Sequence, residues 1–557
     1  MKHKKRIILN AFDMTCVSHQ SAGTWRHPNS QASRYNDIDY WTNLAVELER
    51  GHFDCLFIAD VVGVYDVYRG SAEMSLKDAA QVPVNDPFCA IAAMSAVTKH
   101  VGFGVTAAVT FEHPYLLARR LSTLDHLTKG RVAWNVVSSY LNSAAVNVGL
   151  DKQAGHDERY DMADEYMEVM YKLWEGSWEE GAVKRDRESG VFTDGTKVHP
   201  IRHQGKYYKV PGFHLCEPSP QRTPVIFQAG ASGRGRHFAA SNAEAMFILT
   251  NSPEAARPVT EDIRRRAVEA GRSADSIKIF TLLTVITGKD DAAAQAKLDE
   301  YLEYASPEGM LALYGGWTGI DFSQLDPDAP LQAVPNDSLR TTLESLVNSE
   351  DGTAWTVRDV IRQRCIGGLG PVAVGGPETI ADLLERWVDH GGIDGFNLAY
   401  AITPGTTTDF IDFVVPELVK RGRAQTDYKP GTFRQKLSGQ DSPYTDAAHP
   451  SAKWRDHFKD KESVASKTHP SRFEVNLQMK KKVTGTAKAK TQVTSTAKAE
   501  KKVTGTAKAK TQVTSTAKAQ KKVTSPAKVE KKVTSPAKVE KKVTSTAKAK
   551  SPTKARG

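Results

Sequence analysis

The sequence predicts an α/β barrel of eight strand–helix units, and three observations carry that prediction. Up to about Gln425, short apolar strands alternate with amphipathic helices eight times. The strands are apolar on both faces, as in a parallel sheet covered by helices. The first strand runs into Asn10-Ala11-Phe12-Asp13-Met14, without the glycine-rich turn by which an open doubly wound sheet usually holds a dinucleotide. That open sheet is the competing architecture, and the count of units favours the closed barrel.

The elements follow in order. A strand over Arg6 to Phe12 leads to a helix over Tyr40 to Gly51, whose Leu44, Ala45, Val46 and Leu48 form a helical stripe. Asp54 to Asp60 is the second strand, closed by an acid. The helix Pro87 to Val97, the strand Val101 to Ala107, the helix Pro114 to Leu127 and the strand Arg131 to Val137 come next. A long helix from Glu158 to Trp174 precedes the fifth strand, Pro224 to Ala229, whose own helix opens at Ser232. Ala245 to Leu249 with a helix from Ser252 to Glu269, then Ile277 to Leu283, and finally Gly395 to Tyr400 complete the eight.

Two intervals interrupt the alternation, which makes 1–430 a barrel with insertions at about 176–220 and 290–370. The first, with Tyr207-Tyr208 beside Gly205, reads as a short hairpin excursion. The second is too long for an ordinary connection, with helical stretches at Ala292 to Tyr304 and Ser338 to Val347 and a Gly/Trp-bearing segment, Tyr314 to Gly319. Lying after strand seven, it is placed to act either as a lid over the active end of the barrel or as a packing subdomain.

Residues 431–480 read as a polar linker. From Lys481 the chain repeats every ten residues, beginning KKVTGTAKAK and TQVTSTAKAE. With Val and Ala its only apolar residues, this segment has little to bury against the entropy of ordering, so 481–557 is expected to be disordered. It carries 22 basic and 3 acidic residues, and the first 480 residues then carry 53 basic and 62 acidic. The overall charge of +10 therefore belongs to the tail, which could adhere to anionic surfaces. The acidic body gives no support to a nucleic-acid enzyme.

Five cysteines, Cys16, Cys55, Cys89, Cys216 and Cys365, are widely spaced and form no zinc or redox motif. The basic start of the chain is followed by an apolar run too short for a signal peptide, and no stretch approaches a membrane span. A cytoplasmic protein without a metal site is the expectation.

Barrel enzymes work at the C-terminal ends of their strands. Asp60 closes strand two, Thr106 and Ala107 close strand three, and Asn135 lies in strand four. Ser232-Gly233-Arg234-Gly235-Arg236 follows strand five and opens a helix, offering free backbone N–H groups and a hydroxyl to an anion; the same run also suits a simple N-cap. His156 and Tyr160, four residues apart at the start of the helix after strand four, project from one face toward the same mouth. No Ser-His-Asp arrangement and no Gly-x-Ser-x-Gly elbow is present. Pattern and spacing thus reach a barrel with a phosphate-bearing ligand and stop before a reaction.

At these residues the chain resembles the flavin-dependent monooxygenases of the bacterial luciferase superfamily, in the branch of nitrilotriacetate monooxygenase component A, EDTA monooxygenase and dibenzothiophene-sulfone monooxygenase. The resemblance runs from about Arg6 to Lys429. It is carried by Thr24-Trp25-Arg26-His27-Pro28, Ala59-Asp60, His113-Pro114-Tyr115, Thr123 to Arg131, Trp134-Asn135-Val136-Val137, His156-Asp157-Glu158-Arg159-Tyr160 and Gln228 to Gly233.

It implies an interrupted (β/α)8 TIM barrel, luciferase-like, that takes FMN as FMNH2 from a separate NAD(P)H:flavin reductase and O2 as co-substrate, and that assembles as a homodimer or homotetramer. Asp60, Thr106, Ala107 and Asn135 are then expected to border the isoalloxazine, and His156, Tyr160, Ser232 and Gly233 to hold the ribityl chain and phosphate, with charge from Arg234 or Arg236. His156 is either a proton manager or, by its place near the phosphate, a cofactor ligand. Ala107-Ala108 replaces a hydroxyl-bearing residue common at this strand end in relatives, and Thr106 or Thr110 can take its place. The implied reaction passes through a flavin C4a-(hydro)peroxide and oxidises a small organic molecule with C–N or C–S cleavage. Competing readings are a deazaflavin-dependent oxidoreductase on the same barrel and a non-enzymatic, tail-tethered binding protein. The substrate is left open.

Overall fold

The computed structural model describes residues 4–331 and 355–465, apart from 231, 460 and 462. The ten-residue repeats and the expected helix Ser338 to Val347 lie outside the described residues. Among the described residues no helix is long and apolar enough to cross a membrane.

The eight expected strands form, each within a few residues of its expected limits: β1 Ile8–Met14, β2 Cys55–Ala59, β3 Gly102–Ala108, β4 Val132–Val137, β5 Val225–Gln228, β6 Ala245–Ile248, β7 Lys278–Thr287 and β8 Gly395–Ala399. All neighbours are parallel, and the ring closes because β6 pairs with β7, β7 with β8 and β8 with β1. A closed barrel therefore replaces the open-sheet alternative. β7 is longer than expected: its first half lies in the barrel, whereas Thr284–Thr287 leaves it to pair with an additional strand, Val372–Gly375.

The helices start where their capping chemistry dictates. Asp86, Ser232 and Ser252 each accept an N–H from the first turn of the helix that follows. The excursion after β4 is two small hairpins, Val183–Asp186 with Val191–Thr193 and His203–Gln204 with Lys209–Val210. In the second insertion the Gly/Trp-bearing segment is helical, Pro307–Thr318, and every residue from Gly309 to Thr318 is buried. Its apolar run Met310, Leu311, Ala312 and Leu313, with Tyr314 and Trp317, joins the cluster of Tyr65 and Tyr68. This part of the insertion is a packed roof.

The expected linker needs correction. Residues 432–458 close the N-terminal end of the barrel. Phe433 enters the aromatic interior formed by Phe57, Phe227 and Phe280, and β3 makes room for it, since a Cβ on Gly102 would lie 2.6 Å from the Phe433 ring. Arg434, 1 % exposed, grips Glu244 through two bonds of 2.6 and 2.8 Å and donates to the Thr223 carbonyl. Burial pushes the Glu244 carboxyl up, but the Arg434 charge outweighs it and holds the group below its ordinary range. His449 joins its ring to the Asn242 carbonyl at 2.8 Å. The segment looked like a linker because its anchors are single residues separated by polar turns, with no periodic stripe.

Candidate active site

At the C-terminal ends of the strands lies a cavity of about 710 Å³, within the range of small-ligand and cofactor sites. Period-two alternation decides which strand residues face it. Phe12 and Met14 of β1, Phe57 and Ala59 of β2, Thr106 and Ala108 of β3, and Asn135 and Val137 of β4 are lining residues, followed by Asp60 at the β2 end. Ala107 points the other way, into the core between barrel and helices, so its expected side-chain contact with a ring in the cavity is not there; Ala108 takes that place. Thr106 accepts a hydrogen bond from Asn135 Nδ2 at 3.0 Å, while Thr110 spends its hydroxyl on the Ser138 carbonyl.

Burial, and after it the charge of Asp86, pushes the Asp60 carboxyl up to about 7, against a hydrogen bond from the Val61 N–H. Two lining residues carry buried oxygens with no partner, Asn135 Oδ1 and Gln228 Oε1. Buried polar atoms are rarely left unpaired. These two mark a wall built to bind polar groups.

His156, Tyr160 and Ser232 meet at one end of the cavity. His156 opens the helix His156–Tyr171, its Nδ1 2.8 Å from Asp157 and its ring edge-on to Tyr160 at 5.1 Å. Burial pushes the Tyr160 phenol up, although hydrogen bonds to Ser232 and Gln228 and the charges of Arg159 and Arg234 pull it down. Ser232 caps the helix Gly233–Asn242 by accepting the Gly235 N–H at 3.0 Å. Its hydroxyl also bonds the Tyr160 phenol, so the two side chains stand together at this end of the cavity.

Gly233, expected as a ligand, is the first residue of that helix, and a Cβ there would meet nothing within 4 Å. The glycines that the packing requires are Gly230 and Gly235, where a Cβ would approach the Tyr160 hydroxyl to 3.0 and 2.6 Å. The cation expected from Arg234 or Arg236 is otherwise engaged: Arg234 pairs with Asp164 and lies over the Tyr160 ring, and Arg236 pairs with Asp262 at 3.1 Å. Arg159 is the cation that lines this end, buried and donating to the Ala154 carbonyl at 2.8 Å.

Elsewhere the cavity wall holds residues that sequence reasoning missed. His19 and Gln20 lie in the loop after β1, and Gln81, Tyr65, Tyr140 and Trp317 form a linked group. Tyr65 donates to Gln81 Oε1 at 2.8 Å, Gln81 Nε2 donates to the His19 carbonyl at 2.7 Å, and Trp317 Nε1 donates to Tyr65 at 3.2 Å. Tyr65 has one proton. With that proton on Gln81, the 2.7 Å contact between Tyr65 and Tyr140 is donated by Tyr140. The visible signal was the polar run Cys16 to Ser21 at the end of strand one; Gln81 and Trp317 are brought in by loops and insertion and carried no sequence signal. Phe12 lines the cavity, whereas His27 of the Thr24–Pro28 motif bonds Glu300 at 2.9 Å.

The luciferase-like monooxygenase family profile matches residues 12–394. Dimethyl-sulfide monooxygenase of Hyphomicrobium sulfonivorans is 77% identical over 470 residues, covering 84% of this chain and 98% of that protein. The crystal structure of DmoA from the same organism superposes with a TM-score of 0.79 over 84% of this chain and all of that one. Long-chain alkane monooxygenase of Geobacillus thermodenitrificans is 50% identical over 451 residues, 81% of this chain and 98% of the relative. Nitrilotriacetate monooxygenase component A of Aminobacter aminovorans is 35% identical over 442 residues, 77% of this chain and 96% of the relative. The superfamily expected from the motifs stands, while the branch expected within it is less similar than the dimethyl-sulfide enzyme.

Proposed function

The chain belongs to the luciferase-like monooxygenase family, and from that premise we propose that it is an FMNH2-dependent oxygenase that cleaves a C–S bond of small thioethers such as dimethyl sulfide. The general activity is that of a two-component monooxygenase: reduced FMN comes from a separate NAD(P)H:flavin reductase, and when bound it supplies the two electrons that activate O2.

The cavity fits that cofactor. Ser232, the first amides of the helix Gly233–Asn242, Tyr160, His156 and the buried Arg159 would hold the phosphate and ribityl chain, and the unpartnered oxygens of Asn135 and Gln228 with Asp60 and Thr106 would meet the polar edge of the ring. Phe12, Phe57, Phe247, Leu282 and Trp317 exclude water from the rest of the space. The substrate would give one hydrogen-bearing carbon beside sulfur to oxygenation. One atom of O2 enters that carbon, the other leaves as water, and the hydroxylated carbon separates into an aldehyde and a thiol.

One observation carries the substrate class: among the described residues, Arg159 is the one Lys or Arg that lines the cavity. A polycarboxylate such as nitrilotriacetate would need several cations, and an uncharged sulfide needs none. The test is turnover with a generic flavin reductase, NADH, FMN and O2 against dimethyl sulfide, a long-chain alkane and nitrilotriacetate, read by mass spectrometry. Dimethyl sulfide should be consumed fastest. Consumption of none of them, or equal turnover without O2, would favour the binding-protein or deazaflavin readings. The chain's assembly as a homodimer or homotetramer, its cytoplasmic location and adhesion of the tail to anionic surfaces belong to the same proposal.

A further inference from the structure

His19 is 2 % exposed and lines the cavity together with Phe12, Phe57, Leu282 and Trp317. Its ring stands edge-on to Phe12, 4.4 Å between centroids, and its backbone is held by Gln81 at 2.7 Å. Burial drives the imidazole pKa down to about 3, against a hydrogen bond to the Phe12 carbonyl. The ring is therefore neutral, with one N–H and one acceptor nitrogen. The Phe12 carbonyl takes the N–H. No side chain pairs with either ring nitrogen, and Nδ1 is buried without a partner. A buried acceptor is rarely left so, and an apolar thioether brings no polar hydrogen to it. The oxygenated product of that thioether does: it carries a new hydroxyl.

We propose that His19 is the catalytic residue for the bond-breaking half of the reaction, moving the hydroxyl proton of the α-hydroxylated thioether to sulfur; this rests on the thioether reading above. The acceptor nitrogen takes the O–H proton, the O–H electron pair becomes the second bond of the carbonyl, and the C–S pair leaves on sulfur. The imidazolium then returns the proton to the thiolate. The products are an aldehyde and a thiol, the histidine ends neutral, and the step consumes no oxidant or reductant.

The same step runs backward without flavin, which gives a test independent of oxygenation. Methanethiol and acetaldehyde equilibrate with their hemithioacetal, and exchange spectroscopy by NMR measures the rate with and without flavin-free protein. Wild type should accelerate exchange, His19→Asn should lose about 100-fold of that acceleration, a typical share for general acid–base catalysis, and imidazole added to His19→Ala should restore part of it. Melting curves establish that the variants are folded. No acceleration by wild type, or a folded His19→Asn as fast as wild type, overturns the role of His19. Wild type that exchanges hemithioacetal but never consumes a thioether with FMNH2 and O2 would instead overturn the substrate reading.

Discussion

The hydroxyl of Tyr160 fills the space that a side chain on Gly235 would need: a Cβ there would lie 2.6 Å from the phenolic oxygen. The close approach brings the helix after β5 onto the helix after β4 and shapes the end of the cavity lined by His156, Tyr160 and Ser232. Gly235→Ala should displace Tyr160 and weaken FMNH2 binding by at least about 10-fold, a loss of some 1.4 kcal/mol. Gly233→Ala, with open space around its Cβ, should bind normally and gain a little helix stability. Anaerobic titration of both variants checks this, and equal affinities would contradict it.

Ser232 has two tasks, and they separate by ligand. Loss of its hydroxyl should cost about 0.5–2 kcal/mol of stability as an N-cap, and about 10- to 150-fold in FMNH2 affinity as a donor to charged phosphate, from roughly 1.5–3 kcal/mol. Ser232→Ala should therefore melt earlier and bind FMNH2 less tightly, with reduced riboflavin hardly affected. An equal loss for both ligands would remove the phosphate contact.

The C-terminal anchor predicts opposite outcomes for two truncations. Removing 470–557 should leave the melting temperature and turnover nearly unchanged, because the relative matched over 470 residues is covered to 98%. Removing 432–557 takes away Phe433 and Arg434 and leaves Glu244 buried without its cation. Arg434→Ala alone should cost about 3–5 kcal/mol, the usual penalty for breaking a buried pair. Denaturant unfolding measures both, and a stable chain ending at 431 would sink the anchor.

Asp60 predicts a pH dependence. Burial pushes its carboxyl up to about 7 from an ordinary 3.8, so between these values the folded state keeps a proton that the unfolded state has lost. Its contribution to stability is full below about pH 4, falls as pH rises through this window, and is gone above 7. Flavin-free Asp60→Asn should melt above wild type at pH 8 and not at pH 4. The same difference at both pH values would count against a buried, raised carboxyl.

Much of this was legible in the sequence. Strands apolar on both faces are a local signal, and they placed the barrel; Ser232, read from the sequence as opening a helix, does cap one. The facing of Ala107 hung on a single residue of register, which moves a side chain to the other face. His19 was visible in position but not in role, because its meaning lies in what does not pair with it. Gln81, Trp317 and Arg434 act across separations that no local pattern records. The division between Gly233 and Gly235 needed the Tyr160 hydroxyl in three dimensions.

Cleavage of the C–S bond is tested most directly by the stoichiometry of dimethyl sulfide oxidation with FMNH2 supplied by a reductase and catalase present to remove stray peroxide. Coupled turnover should yield one thiol and one aldehyde per dimethyl sulfide consumed, with one O2 taken up for each. Dimethyl sulfoxide as the product, or oxygen uptake with the sulfide untouched, would contradict it.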